Sequence, residues 1–292
     1  MRQLLIIFLS LLSLQCYSNE EGESSLNICD THTIECAKSL LDEVIADKAI
    51  ERLDEVILFI QKIEGHSALK DNLLGVAFLS KKDKESVNKA KAFFEKALNE
   101  GVNEAAQNLA ELYFYLDDYE NTLRYLRMVE SFEYEFPDYK YINWARLYAQ
   151  VLYLAQDPEI NDKQKALQIF EQIESKDESG TPEYFIGHFA LSQNQIEDGL
   201  INLKTAADKG NVQAMLLLAD HYYIGGIIEK NVDAAEKYYL LAAEEGDGRA
   251  FYNLAMIARG REDVDAMKTY LTNSARLGYQ KAIDLFNRLQ SD

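Results

Sequence analysis

The sequence predicts an all-α chain: a right-handed α-solenoid of about seven stacked helical hairpins closed by a C-terminal capping helix. Three observations predict it. The first is the scarcity of breakers. With 3 prolines and 14 glycines in 292 residues, the chain has too few turn formers for a many-stranded β protein. The second is a recurring spacing, a glycine followed four residues later by alanine, at Gly101/Ala105, Gly210/Ala214, Gly246/Ala250 and Gly278/Ala282. An apolar residue lies four further on, at Leu109, Leu218, Leu254 and Phe286. The third is an apolar stripe leading into the glycines. Ala90, Phe93, Phe94, Ala97 and Leu98 precede Gly101 with the offsets of Ala235, Tyr238, Tyr239, Ala242 and Ala243 before Gly246. A weaker copy, Gly199, Asn202, Leu203, Ala206 and Ala207, precedes Gly210. Offsets of three and four share one helical face. Glycine takes the left-handed conformation that ends a helix, and the small alanine lets the next helix approach closely. One hairpin leaves a face unburied, so neighbours must stack.

The elements follow in order. Residues 1–18 read as a signal peptide: Met1-Arg2 is a short positive start, an apolar run follows, and Cys16-Tyr17-Ser18 places small residues two apart, on either side of Tyr17. The apolar run is too short to span a bilayer. The alternative is a lipid anchor on Cys16. Residues 19–32 form a flexible acidic lead-in. Cys29 and Cys36, the two cysteines left after cleavage, are expected to pair as a disulfide in an oxidising compartment, because their spacing is neither a redox nor a metal motif. From 33 to 292 the sequence reads as a single repeat solenoid. Hairpins are expected from 33–46 with 47–63, 69–79 with 86–98, 105–116 with 119–131, and 141–155 with 162–175. Beyond these, a helix capped by Thr181 with Pro182 as its first residue pairs with 196–207. Then 212–223 pairs with 231–243, 248–258 with 264–275, and 280–289 is the cap.

The segment from Gly210 to Gly246 resembles a Sel1-like repeat, a relative of the tetratricopeptide repeat. Ala214, Leu218, Tyr222, Gly225, Ala235, Tyr238, Tyr239, Ala242, Ala243 and Gly246 match that motif. Residues 86–113 and 246–282 are similar, and 119–207 are nearer a generic tetratricopeptide pattern. The resemblance implies the solenoid fold and a role in binding another protein. It allows an immunity-type inhibitor of a periplasmic toxin, since exported acidic members of such families neutralise toxins.

The charge narrows the partner. Thirty basic against 49 acidic residues give a net charge of −19, and loss of Arg2 with the leader makes it −20. Nucleic acid is excluded as a partner, because binding needs cations to displace phosphate counterions. A protein with a basic surface is favoured. No GxSxG, HExxH, P-loop or GxGxxG motif is present, so no catalytic residue, metal or cofactor is expected. The expected function is that of a non-enzymatic exported scaffold in the periplasm or secreted. The alternatives are an adaptor in an envelope assembly or signalling complex and, less favoured, a cell-wall or glycan hydrolase. Two sets of binding residues stand out. In Glu130 to Tyr141, aromatics alternate with acids around Pro137, so Phe132, Tyr134, Phe136 and Tyr139 are expected to form a contact patch. Tyr113, Tyr125, Trp144 and Tyr148 recur at helical spacing and are expected to pack inside. Positions three, six and ten after the repeat alanine share a face of the first helix, which marks Asn108, Glu111 and Tyr115, and by correspondence Asp220 and Asn253, as groove residues.

Overall fold

A computed structural model describes residues 33–291 except 48, 66 and 133–137. Among these residues the protein is all-α. In order, the helices are α1 (Ile34–Ala46), α2 (Leu53–Lys62), α3 (Ala68–Ser80), α4 (Lys84–Asn99), α5 (Glu104–Tyr115), α6 (Tyr119–Ser131), α7 (Asp138–Leu154) and α8 (Lys163–Ile173). They continue as α9 (Thr181–Ser192), α10 (Ile196–Asp208), α11 (Val212–Ile224), α12 (Val232–Glu244), α13 (Gly248–Gly260), α14 (Val264–Arg276) and α15 (Gln280–Ser291). A single 3-10 turn, Ile50–Arg52, leads into α2. The helix therefore begins later than the expected 47, because Asp47 closes α1 instead.

Local chemistry explains these boundaries. Asp83, Asp118, Asp162, Asn211, Asn231, Asp247 and Asp263 each cap a helix by accepting a hydrogen bond from a backbone N–H three residues on. Each such cap stabilises by about 1 kcal/mol. The second helices of the hairpins end on Gly101, Gly210, Gly246 and Gly278, all at φ between +77° and +92°, as the repeat spacing predicts. The turns inside the hairpins behave differently. Lys82, Asp117, Asn194 and Glu262 stand at φ of +59° to +62°, so polar residues bear a conformation that glycine adopts at lower cost. At α9 the cap is Gly180, at φ +67°, and not Thr181. Thr181 is the first helical residue, and its hydroxyl accepts from Ser179 instead.

The helices fall into two compact units, one ending at Asn161 and one beginning at Asp162. In the first, α3 pairs with α4 and α5 with α6, α1 and α2 lie at one end, and α7 packs on α5 and α6. One continuous core runs through it, including Leu41, Ile60, Leu79, Phe94, Leu109, Leu112 and Leu126. In the second unit α8 packs on α9, α9 pairs with α10, α11 with α12 and α13 with α14, and α15 covers α14. Its core centres on Leu203, Leu216, Leu218, Tyr239 and Leu254. The hairpin expected from 141–155 and 162–175 is thus divided by the boundary, since α7 belongs to the first unit and α8 to the second.

Candidate functional site

In the first unit α3 and α5, the first helices of successive hairpins, bring their polar residues together. Asn108 on α5 donates from Nδ2 to Oδ1 of Asn72 on α3 at 2.9 Å. The two asparagines are 36 residues apart, the spacing of Gly210 and Gly246, and they stand on the first helices of neighbouring hairpins. One turn along α5, Glu111 accepts from Gln107 Nε2 at 3.2 Å through Oε1. Its other oxygen, Oε2, is buried and receives no hydrogen bond. Burial pushes the Glu111 carboxyl up to about 6, against the Gln107 bond and the nearby charge of Arg146. Arg146, on α7, donates to Asn143 Oδ1 at 2.6 Å. Tyr115, a further turn on, packs its ring on the core and donates to the Lys82 carbonyl at 3.3 Å. The three positions counted from Ala105 therefore share a half-buried face, to which Asn72, Gln107 and Arg146 belong as well.

The aromatic segment is divided. Phe132 closes α6 and packs partly buried against the core. Tyr134 and Phe136 lie outside the described residues, as does the side chain of Tyr139 in the first turn of α7. Tyr113 and Tyr125 are buried and stacked, with ring centroids 5.5 Å apart. Trp144 and Tyr148 pack against the same core, and Trp144 Nε1 donates to the Leu126 carbonyl at 3.0 Å. Tyr141 stacks on Trp144 at 6.2 Å and stays exposed.

In the second unit Asp220 on α11 and Asn253 on α13 converge on one hydroxyl. Tyr239, buried in α12, donates to Asp220 Oδ1 at 2.5 Å and is also hydrogen-bonded to Asn253. Burial and the Asp220 carboxylate hold this phenol far above its ordinary range. These two groove positions thus lock three successive helices together. Close by on α9, Tyr184 and His188 stand one turn apart, and Arg249 is the second residue of α13.

Cys36 lies in the first turn of α1, and Cys29 lies outside the described residues. Among the described residues no group of three or more histidines, cysteines or carboxylates is placed to hold a metal ion, and no helix is long and apolar enough to cross a membrane.

No protein-family model and no curated protein matches the sequence. Among solved structures, a Sel1 repeat protein from Oxalobacter formigenes matches with a TM-score of 0.53 at 19% identity, over 84% of this chain and 99% of that one. A protective antigen of uropathogenic Escherichia coli strains that displays an SLR fold matches with a TM-score of 0.45 at 17% identity. That match covers 85% of this chain but only 57% of the antigen. PilW, a type IV pilus biogenesis factor, matches with a TM-score of 0.49 at 16% identity, over 76% of this chain and 99% of that one. The Oxalobacter match, together with the hairpin order and the glycine-ended second helices, identifies the protein as having the Sel1-like repeat fold.

Proposed function

We propose that the protein is a non-enzymatic, exported scaffold that binds a partner protein presenting a basic surface, and that the shared face of α3, α5 and α7 is the recognition surface. The observation that carries this reading is the Glu111 carboxylate, half committed to Gln107 and otherwise buried without a hydrogen-bond donor. A cation from a partner supplies what Oε2 lacks, while the amides of Asn72 and Asn108 pair with peptide groups beside it. Phe132, Tyr134, Phe136 and Tyr139 serve as aromatic anchors for the partner. The net charge of −19 steers the encounter.

In its most specific form the partner is a toxin acting in the periplasm and the protein is its immunity-type inhibitor. The alternative is an adaptor in an envelope assembly. A toxin gene beside this one favours the first. Recovery of a resident membrane complex by crosslinking favours the second. A Cys29–Cys36 disulfide then ties down the start of α1 by about 2–3 kcal/mol in the chain-entropy model, whether the protein is soluble in the periplasm or anchored through Cys16.

Glu111→Gln tests the site. Loss of the charge is expected to weaken partner binding at least tenfold, and an unchanged Kd overturns the assignment. The association rate is expected to fall steeply as salt rises, because screening shortens the steering field to about 8 Å at physiological ionic strength. A salt-independent rate removes the basic-partner reading.

The same variant is expected to stabilise the free protein. The folded carboxyl titrates near 6, above its value of about 4.3 in an unfolded polypeptide. Ionised Glu111 therefore costs stability above pH 6, and the cost has vanished below about pH 4.3. Lowering the pH from 7.5 to 5 is expected to stabilise the first unit by about 1–2 kcal/mol through this group. Asp42, with a carboxyl raised to about 6 by burial against the nearby charge of Lys38, adds in the same direction. In Glu111→Gln the Glu111 part of the pH response disappears from denaturation curves. Its persistence shows that Glu111 is hydrated.

A further inference from the structure

We propose that the second unit holds a carboxylate-binding site built on Arg249, Tyr184, His188 and His221, which takes a carboxylate carried by a peptide segment of the partner. The site lies in a different unit from Glu111, and it rests on the reading given above only in taking a partner protein as the source of the carboxylate.

The argument starts from Arg249. The net charge is −19, and Arg52 and Arg261 are both paired with carboxylates. Arg52 reaches Glu43 at 3.0 Å, and Arg261 reaches Asp233 at 2.8 Å and Glu236 at 2.7 Å. Arg249 forms no ion pair among the described residues, and its Nε is buried with no hydrogen-bond partner. A buried guanidinium N–H without an acceptor is costly, and an incoming oxyanion relieves that cost.

The groups around Arg249 are donors. Its charge is felt by the phenols of Tyr184 and Tyr239. The Tyr239 hydroxyl is spent on Asp220, whereas the Tyr184 hydroxyl makes no hydrogen bond within the described residues. The Tyr184 ring lies 6.1 Å from that of His188. His188 on α9 senses the charge of His221 on α11, and Lys163 adds a cation facing His188. Burial lowers both imidazoles below their ordinary value, so at neutral pH each is uncharged and carries one N–H. Asp220 faces His221 and accepts from Tyr239 through Oδ1. Tyr184, Leu217, Tyr222 and Phe251 pack on one core cluster, so α9, α11 and α13 present these donors from a common support.

The chemistry selects the ligand. A guanidinium fork matches the two oxygens of a carboxylate, and a phenol and imidazole N–H groups complete the shell. A polyanion is repelled by the net charge of the protein, whereas a single carboxylate bears little of that cost. The carboxylate comes either from the C-terminus of a polypeptide or from an Asp or Glu side chain.

The experiment titrates the full-length protein with three probes: acetyl-glycyl-glycine with a free C-terminus, its C-terminal amide, and the amide of acetyl-aspartyl-glycine. The readout is the imidazole C–H resonances of His188 and His221 by NMR. A carboxylate-bearing probe is expected to shift both signals saturably, and the uncharged amide to leave them in place. Whichever of the two acids binds more tightly identifies the source. Arg249→Gln is expected to weaken binding at least tenfold. Tyr184→Phe, which keeps the ring packing, is expected to weaken it several-fold and serves if the arginine variant fails to fold. Equal shifts with acid and uncharged amide, undiminished binding in both variants, or a response to methyl phosphate alone would overturn the proposal.

Discussion

Replacing Lys209 with methionine is expected to destabilise the second unit by about 3 kcal/mol, the cost of leaving a buried charge without its partner, and to lower its apparent Tm by about 10 °C. Lys209 closes α10, and its ammonium joins three places. It donates to the carbonyl of Glu174 at 3.0 Å, to that of Asp177 at 2.8 Å, and to the carboxylate of Glu183. Glu183 sits in the first turn of α9 at 5% exposure, and its Oε2 has no hydrogen-bond partner. Without Lys209 the carboxylate stays desolvated, and two carbonyls of the α8–α9 connection lose a charged donor. Asp177 stays held by Ser179, whose N–H donates to it at 2.8 Å, so the loss centres on Glu183. A double-mutant cycle isolates it. Glu183→Gln added to Lys209→Met is expected to recover much of the loss, because no charge is then left buried. A loss below 1 kcal/mol in the single variant would show that water enters the site. Lys89→Met gives the contrast. Its partner Glu85 lies one turn away at 2.7 Å with both side chains largely exposed, and the expected loss is about 0.5 kcal/mol or less.

This junction shows where sequence reasoning stops. Glycine and alanine spacing located the helices well, because a cap residue and a left-handed glycine act within one turn of the backbone. The helix expected over 212–223 is observed as Val212–Ile224, and that over 231–243 as Val232–Glu244. Lys209 and Glu183 are 26 residues apart and meet only once α8, α9 and α10 are stacked, so neither carried a local signal. The positive φ of Lys82, Asp117, Asn194 and Glu262 was equally hidden, since those side chains do not require it and the hairpin geometry imposes it. The site was legible by half. Counting from Ala105 reached Asn108 and Glu111, but Asn72, on a helix that no glycine–alanine pair precedes, was missed although it lies 36 residues away. Counting also reached Asp220 and Asn253. That both are taken up by Tyr239 depends on a residue of the second helix, which the groove positions do not reveal. Arg249 directly precedes the repeat alanine Ala250, and only its Nε, buried in three dimensions without a hydrogen-bond partner, singles it out.

Phe94→Ala is expected to cost the first unit about 3–5 kcal/mol, and the size of the loss is expected to depend on a glycine. Phe94 is completely buried in α4. Its ring occupies the space above Gly75 in α3, where a Cβ would stand 2.5 Å from Cδ1 and Cε1. No side chain fits beneath the intact ring, which explains a glycine in the interior of α3 despite its cost there of about 1 kcal/mol relative to alanine. Gly75→Ala alone is therefore expected to destabilise by about 1–3 kcal/mol through overpacking. In the Phe94→Ala background the ring is gone. The same substitution then regains helix propensity and fills part of the cavity, and is expected to stabilise. The two changes must couple with opposite sign to their separate effects, by more than 1 kcal/mol in denaturant titrations. Additive losses would show that α3 and α4 shift apart to accommodate the methyl group. A close crossing held by this glycine and ring predicts that they cannot, because Phe94 belongs to the same continuous core as Leu79, Leu109 and Leu112, and moving the ring displaces neighbours already in contact.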